Sequence, residues 1–149
     1  MDELRDLYQE VILDHNKNPR NYHKLEGANR IAEGNNPLCG DHFTVYLLLE
    51  NGIIKNISFE GSGCAISKAS ASIMSTVLKG KKKEEAEEIF ERFHRMVTGE
   101  NKETEITKMG KLAAFAGVAE FPVRVKCAIL AWHTMRSALN DQEKVVTIE

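Results

Sequence analysis

The sequence predicts an α+β fold, a small three-stranded antiparallel sheet covered on one side by helices, with a long helix at the C-terminal end. Residues 42–49 alternate Phe43, Val45, Leu47 and Leu49 with His42, Thr44 and Tyr46, the period of two of a half-buried strand. Asn51-Gly52 follows, a dipeptide suited to a two-residue hairpin turn, and residues 53–60 make the return strand. On either side of this hairpin the apolar residues recur at the helical period.

The first element is an amphipathic helix carrying Leu4, Leu7, Tyr8, Val11 and Ile12, ended by the turn residues Asn16-Lys17-Asn18-Pro19-Arg20-Asn21. Residues 30–33 supply the third antiparallel strand. After Gly61-Ser62-Gly63 comes Cys64, then residues 65–78, whose many Ala and Ser suit a helix packed closely on the sheet and closed by Gly80. Residues 83–98 set Ala86, Ile89, Phe90, Phe93 and Val97 on one helix face before Gly99. The polar residues 101–107 read as a loop and 108–119 as a further short helical stretch. Pro122 suits a first helical turn, and Val125, Ala128, Ile129, Trp132, Met135 and Leu139 continue a long final helix with Cys127 in its opening turns. No repeat or linker interrupts the chain. At 149 residues and 42% apolar content it can bury one core, so residues 1–149 are expected to form a single domain.

The charge balance excludes some classes of partner. Twenty basic residues stand against 22 acidic ones, so neither nucleic acid nor an anionic membrane is expected as the main partner. The basic run at residues 79–83 is followed at once by Glu84, Glu85, Glu87 and Glu88 and reads as a solvated helix end. The start, Met1-Asp2-Glu3-Leu4-Arg5, lacks the basic region of a signal peptide, and no apolar run approaches the ~20 residues that span a bilayer. A cytoplasmic protein is expected. Three widely spaced cysteines disfavour a secreted disulfide framework and favour metal or thiol chemistry.

Each thiol stands at the end of an element: Cys39 in the loop Asn36-Pro37-Leu38-Cys39-Gly40-Asp41, Cys64 after Gly61-Ser62-Gly63, and Cys127 in the last helix. Asp41 follows Cys39 by two, so in an extended loop both side chains lie on the same side of the backbone. Zinc accepts thiolates and carboxylates in tetrahedral geometry, and Cys39, Asp41, Cys64 and Cys127 fill one such site. Their four negative charges exceed the ion's two, an excess that Arg124 and Lys126 could offset. The spacing lacks paired Cys-x-x-Cys knuckles, so residue chemistry leaves a plainer alternative open: Cys64 and Cys127 as small core residues and Asp41 as a turn cap. Cys39, between Pro37 and Gly40 in a polar loop, fits that alternative least. His15, His23, His42, His94 and His133 are scattered, and His133 reads as a polar-face residue. Gly61-Ser62-Gly63 lacks the ending of a phosphate loop and reads as a tight bend. Trp132 reads as core, and Ser67, Ser70 and Ser72 as close helix packing.

Four motifs in order carry a resemblance: Leu7-Tyr8-Gln9-Glu10-Val11-Ile12-Leu13-Asp14-His15 with Asn18-Pro19-Arg20-Asn21, then Asn36-Pro37-Leu38-Cys39-Gly40-Asp41, Gly61-Ser62-Gly63-Cys64-Ala65-Ile66-Ser67 and Arg124-Val125-Lys126-Cys127. Over nearly its whole length the chain resembles the U-type iron–sulfur assembly proteins (IscU and NifU N-terminal-like), whose fold agrees with the elements above. It is more similar to the SufU branch than to the IscU branch. IscU-type proteins have histidine immediately before the third cysteine, where Lys126 stands here. The stretch from Cys64 to Cys127 is also longer than theirs, the excess falling in residues 81–107. Glu120-Phe121-Pro122-Val123-Arg124 matches only partly the Leu-Pro-Pro-Val-Lys chaperone-binding motif of IscU.

The SufU resemblance implies a zinc-dependent sulfurtransferase with one Zn2+ per chain. Its sulfur comes as a persulfide from a pyridoxal-phosphate cysteine desulfurase of the SufS kind and passes on to a downstream cluster-assembly scaffold. Cys39 is the expected persulfide acceptor, since the loop frees it to leave the metal while Asp41, Cys64 and Cys127 stay as ligands. The alternative is a scaffold that assembles and transfers a [2Fe–2S] cluster on Cys39, Cys64 and Cys127, with Asp41 as a labile ligand. Residue types do not separate the two. A third reading, a structural zinc module, leaves the loop position of Cys39 unexplained.

Overall fold

The computed structural model describes residues 2–100, 103–142 and 144–148. In chain order the elements are α1 (Asp2–Lys17), β1 (Arg30–Asn36), β2 (Asp41–Glu50), β3 (Ile53–Ser62), α2 (Ala65–Leu78), α3 (Lys83–Val97), α4 (Glu103–Ile106), a 3₁₀-helical run (Thr107–Glu120), α5 (Pro122–Leu139) and β4 (Val145–Thr147). The hairpin between β2 and β3 turns on Asn51 and Gly52, both at positive φ (54° and 75°), as a type I′ turn requires.

The sheet runs β3-β2-β1-β4. The three expected strands are antiparallel, with β1 paired from Arg30↔Leu47 to Asn36↔Asp41 and β2 to β3 from His42↔Ser62 to Glu50↔Ile53. The expectation of three strands is corrected by β4, which pairs parallel to β1 through Glu33↔Val145, Gly34↔Val146 and Asn35↔Thr147, making a mixed four-stranded sheet. Three residues are too few to show a period, so this strand exists only because β1 offers it an edge.

Phe43, Val45 and Leu47 of β2 and Ile57 and Phe59 of β3 are buried together on the face that the helices cover. Helix α5 packs on β1 and β2, α2 on β3 and α5, and α1 on α2. At Gly34 in β1, an added Cβ would stand 2.0 Å from Thr134 Oγ1 and 3.1 Å from Leu130 Cδ1, so the strand can lie this close to α5 only because the residue is glycine.

The serines of α2 hold three elements together. Trp132, fully buried and stacked on Phe93 with ring centroids 4.6 Å apart, donates its indole N–H to Ser70 Oγ at 3.1 Å. Ser70 in turn donates to the Ala128 carbonyl at 2.6 Å. On the other side Ser72 Oγ accepts the Arg20 N–H at 2.9 Å and shares a hydrogen bond with His15 Nδ1 at 2.7 Å. Asn21 Nδ2 donates to Ser75 Oγ.

Three further expectations are revised. Residues 103–106 of the expected loop form α4, while Asn101 and Lys102 lie outside the described residues. The stretch 108–119 is helical but wound as a 3₁₀ run, interrupted at Gly110 (φ 59°, ψ −135°). His133 is half-buried instead of solvent-facing, its ring edge-on to Phe90 at 5.1 Å and to His94 at 5.8 Å. No described helix is long and apolar enough to cross a membrane.

Gly34→Ala is expected to destabilise the chain by about 1–3 kcal/mol in urea unfolding through overpacking. The double variant Gly34→Ala/Thr134→Ala should recover part of that loss, and no recovery would place the strain elsewhere. Burial, then the positive charges of Arg136 and His94, pull His133 down from 6.5 to about 4. The unfolded chain therefore takes up the proton first as pH falls, and stability present above about pH 6.5 is lost towards pH 4. Replacing His133 with Gln should flatten that acid limb by about 1–2 kcal/mol, the half-buried ring being partly screened by solvent.

Candidate metal centre

Three elements deliver the predicted site residues. The turn between β1 and β2 is built on the Asn36 carbonyl, which accepts the Cys39 N–H at 3.2 Å and the Gly40 N–H at 2.9 Å. Gly40, at φ 72°, takes the left-handed conformation that brings the chain back into β2. Cys39 is thereby exposed at the tip, and Asp41 is the first residue of β2, 2% exposed. Cys64 is the N-cap of α2, and Cys127 lies in the second turn of α5, buried.

Cys39, Asp41 and Cys127 each bring one potential ligand atom within 4.8 Å of the other two. The Cys127 thiol points at the Cys39 sulfur, 3.7 Å away. Cys64 borders this set without joining it. Its backbone N–H donates to Asp41 Oδ1 at 2.9 Å, while its sulfur is turned to cap α2, accepting the Ser67 N–H at 3.4 Å and lying 3.5 Å from Ser67 Oγ.

The donor set fits a cation. Asp41 Oδ2 is buried without a hydrogen-bond partner, an orphaned carboxylate oxygen beside two thiols. Zinc–thiolate bonds of about 2.3 Å in tetrahedral geometry set two sulfurs about 3.8 Å apart, close to the spacing of Cys39 and Cys127. Burial chiefly, followed by the neighbouring Cys64 and Asp41, pushes the Cys127 thiol up, so its thiolate needs a positive charge brought to it. Of the two basic neighbours, Arg124 holds its guanidinium over the Phe121 ring, 4.6 Å from its centroid.

Gly63 serves clearance rather than the expected tight bend. A Cβ there would stand 2.6 Å from Asp41 Oδ1, 2.5 Å from Ser67 Oγ and 3.0 Å from Phe43 Cε2. At Gly61 (φ 139°) a Cβ would meet the His42 carbonyl oxygen at 2.1 Å. Ser67, assigned from sequence to helix packing alone, also touches the Cys64 sulfur. Its place three residues after the first helix-capping position was the available signal.

The geometry predicts an order of thiol reactivity in the metal-free chain. Iodoacetamide at pH 8 should modify the exposed Cys39 and Cys64 first and Cys127 at least about tenfold more slowly, the difference vanishing in urea. Equal rates in the folded chain, read by peptide mass spectrometry, would contradict the burial of Cys127.

Residues 7–144 match the family described as NifU-like N terminal domain. The chain is 39% identical over 140 residues to the zinc-dependent sulfurtransferase SufU of Bacillus subtilis, covering 94% of each chain. It is 41% identical over 133 residues to the iron–sulfur cluster assembly scaffold protein IscU of Thermotoga maritima, covering 89% of this chain and 92% of the relative. A crystal structure from Fervidobacterium islandicum, described as a candidate iron–sulfur cluster assembly scaffold protein for the SUF system, superposes with a TM-score of 0.81 at 38% identity. It covers 91% of this chain and 98% of that one.

Proposed function

The chain belongs to the NifU-like N terminal domain family, and from that premise we propose that it is a zinc-dependent sulfurtransferase of iron–sulfur cluster assembly. In this reading it takes persulfide sulfur from a pyridoxal-phosphate cysteine desulfurase and passes it to a downstream cluster-assembly scaffold. The observation that carries the reading is the convergence of Cys39, Asp41 and Cys127 within 4.8 Å, with Cys39 alone of the three exposed. The likeness to a relative named for zinc-dependent sulfur transfer supports it.

Cys39, Asp41, Cys64 and Cys127 would hold the ion, Cys64 by turning its sulfur from the α2 cap towards the other three. Bound zinc would supply positive charge that keeps the thiols deprotonated at neutral pH. The work of transfer falls to Cys39. Its thiolate attacks the outer sulfur of the desulfurase persulfide, a new S–S bond forms on Cys39, and the desulfurase cysteine leaves as thiolate. Cys127 is fixed on α5 and buried, so it does not present its sulfur to an incoming partner, whereas the turn at residues 36–40 does. Leu38 beside Cys39 is exposed, as are Phe121 and Val123 at the start of α5, apolar side chains of the kind that suit docking of another protein.

The second reading is a scaffold on which a [2Fe–2S] cluster is assembled and handed on. It is favoured by the scaffold names of relatives in Thermotoga maritima and Streptococcus pyogenes, 41% and 37% identical. A carboxylate among thiolates also makes a cluster easier to release.

Metal content and the visible spectrum of protein purified without oxygen separate the two. About one zinc per chain, no visible bands and, after desulfurase and cysteine are added, a persulfide on Cys39 are the expected results. A brown protein holding iron and sulfide would establish the scaffold. Sulfur acceptance by Cys39→Ala at the wild-type rate would remove Cys39 from its assigned role.

A further inference from the structure

Beside the centre stands a polar side chain with nothing to bind. Asn36 is fully buried, and among the described residues neither Nδ2 nor Oδ1 of its carboxamide has a hydrogen-bond partner. A buried amide left unpaired is costly, and a leucine of nearly the same shape would fill the space without that cost. Its backbone does not explain the choice of asparagine either, since any residue offers the carbonyl that anchors the Cys39 turn.

The register places this amide. Asn36 is the direct cross-strand partner of Asp41. Along β1 the buried positions are Ala32, Gly34 and Asn36, and Gly34 meets Thr134 and Leu130 of α5. Asn36 therefore faces the helix that carries Cys127, on the same side of the sheet as the buried Asp41. Facing residues in an antiparallel pair have Cβ atoms about 4.5–5.5 Å apart, within reach of two short polar side chains. Asp41 Oδ2 is itself unpartnered. Two adjoining buried side chains thus hold unused hydrogen-bonding capacity at the edge of one set of thiols.

We infer that Asn36 is a positioning residue of the metal centre, its side-chain N–H donating to the Asp41 carboxylate when an ion is held. This rests on the reading of Cys39, Asp41, Cys64 and Cys127 as metal ligands. Ligating carboxylates are held in place by donors around them. Asp41 has one such donor on Oδ1, the Cys64 N–H, and Oδ2 keeps a lone pair for a second donor beside the metal bond. Asparagine supplies that donor without adding a fifth negative charge to a site that already has four. Its amide is an unmet demand in the metal-free chain and a satisfied one in the loaded chain.

The assignment makes opposite predictions for stability and for binding, which a merely structural role does not. Asn36→Leu is expected to raise the melting temperature of the metal-free chain. It should also weaken zinc binding about 10- to 100-fold in competition with a chromophoric chelator. Loaded with Co2+ instead, the variant should shift the visible bands that report tetrahedral ligand geometry. Asn36→Ala, which needs less room, covers the case in which Leu does not fold and should show the same loss of zinc affinity. Variants that bind zinc as tightly as wild type would overturn the role. Failure of the wild-type chain itself to bind zinc would overturn the metal centre on which the role rests, so the two failures are read separately.

Discussion

A buried carboxylate ties the site to the fold. Asp41 is the first residue of β2, pairs with the last residue of β1, and accepts the N–H of the residue that caps α2. One side chain thus joins the Cys39 turn to the helix bearing Cys64, and Gly63 just before Cys64 keeps space open for it. Among the described residues its second oxygen has no hydrogen-bond partner, so a cation or a donor brought to Asp41 would meet a buried acceptor still unpaired. The neighbouring thiol of Cys127 makes the same demand, because burial and nearby acidic groups both oppose its ionisation.

The rest of the molecule holds that arrangement still. Helix α2 is bonded through Ser70 to α5 and through Ser72 and Ser75 to the end of α1 and the turn after it. Gly34 lets α5 sit against β1, which sets the depth at which Cys127 meets the turn from Asn36 to Asp41. The two helix-borne cysteines are therefore fixed by packing, while Cys39 rests on a turn anchored by a single carbonyl. That contrast between thiols anchored on helices and one carried by a turn is the physical basis for giving Cys39 the proposed transfer step.

Several parts of the fold and the site were legible before any coordinates. The β2–β3 hairpin declared itself through strict alternation and Asn51-Gly52, both local signals. The helices declared themselves through apolar periodicity, and the motifs around Cys39, Cys64 and Cys127 marked the family. What escaped were elements whose cause is not local. β4 is three residues long and forms because β1 has a free edge. His133 is half-buried because Phe90 and His94 arrive from a different helix. The 3₁₀ run has no apolar stripe to announce it.

Residue types already set the chemistry available to this protein: three thiols, one aspartate two residues from the first of them, and a turn that carries that first thiol. Tertiary structure alone decided how those groups are used. It brought Cys127, 88 residues away, to 3.7 Å from Cys39, turned the Cys64 sulfur onto its own helix, and buried Asn36 beside Asp41 with its amide unpaired. The reason is that residue type is a property of one position, whereas burial, orphaned hydrogen-bonding groups and accumulated charge exist only between positions that folding brings together.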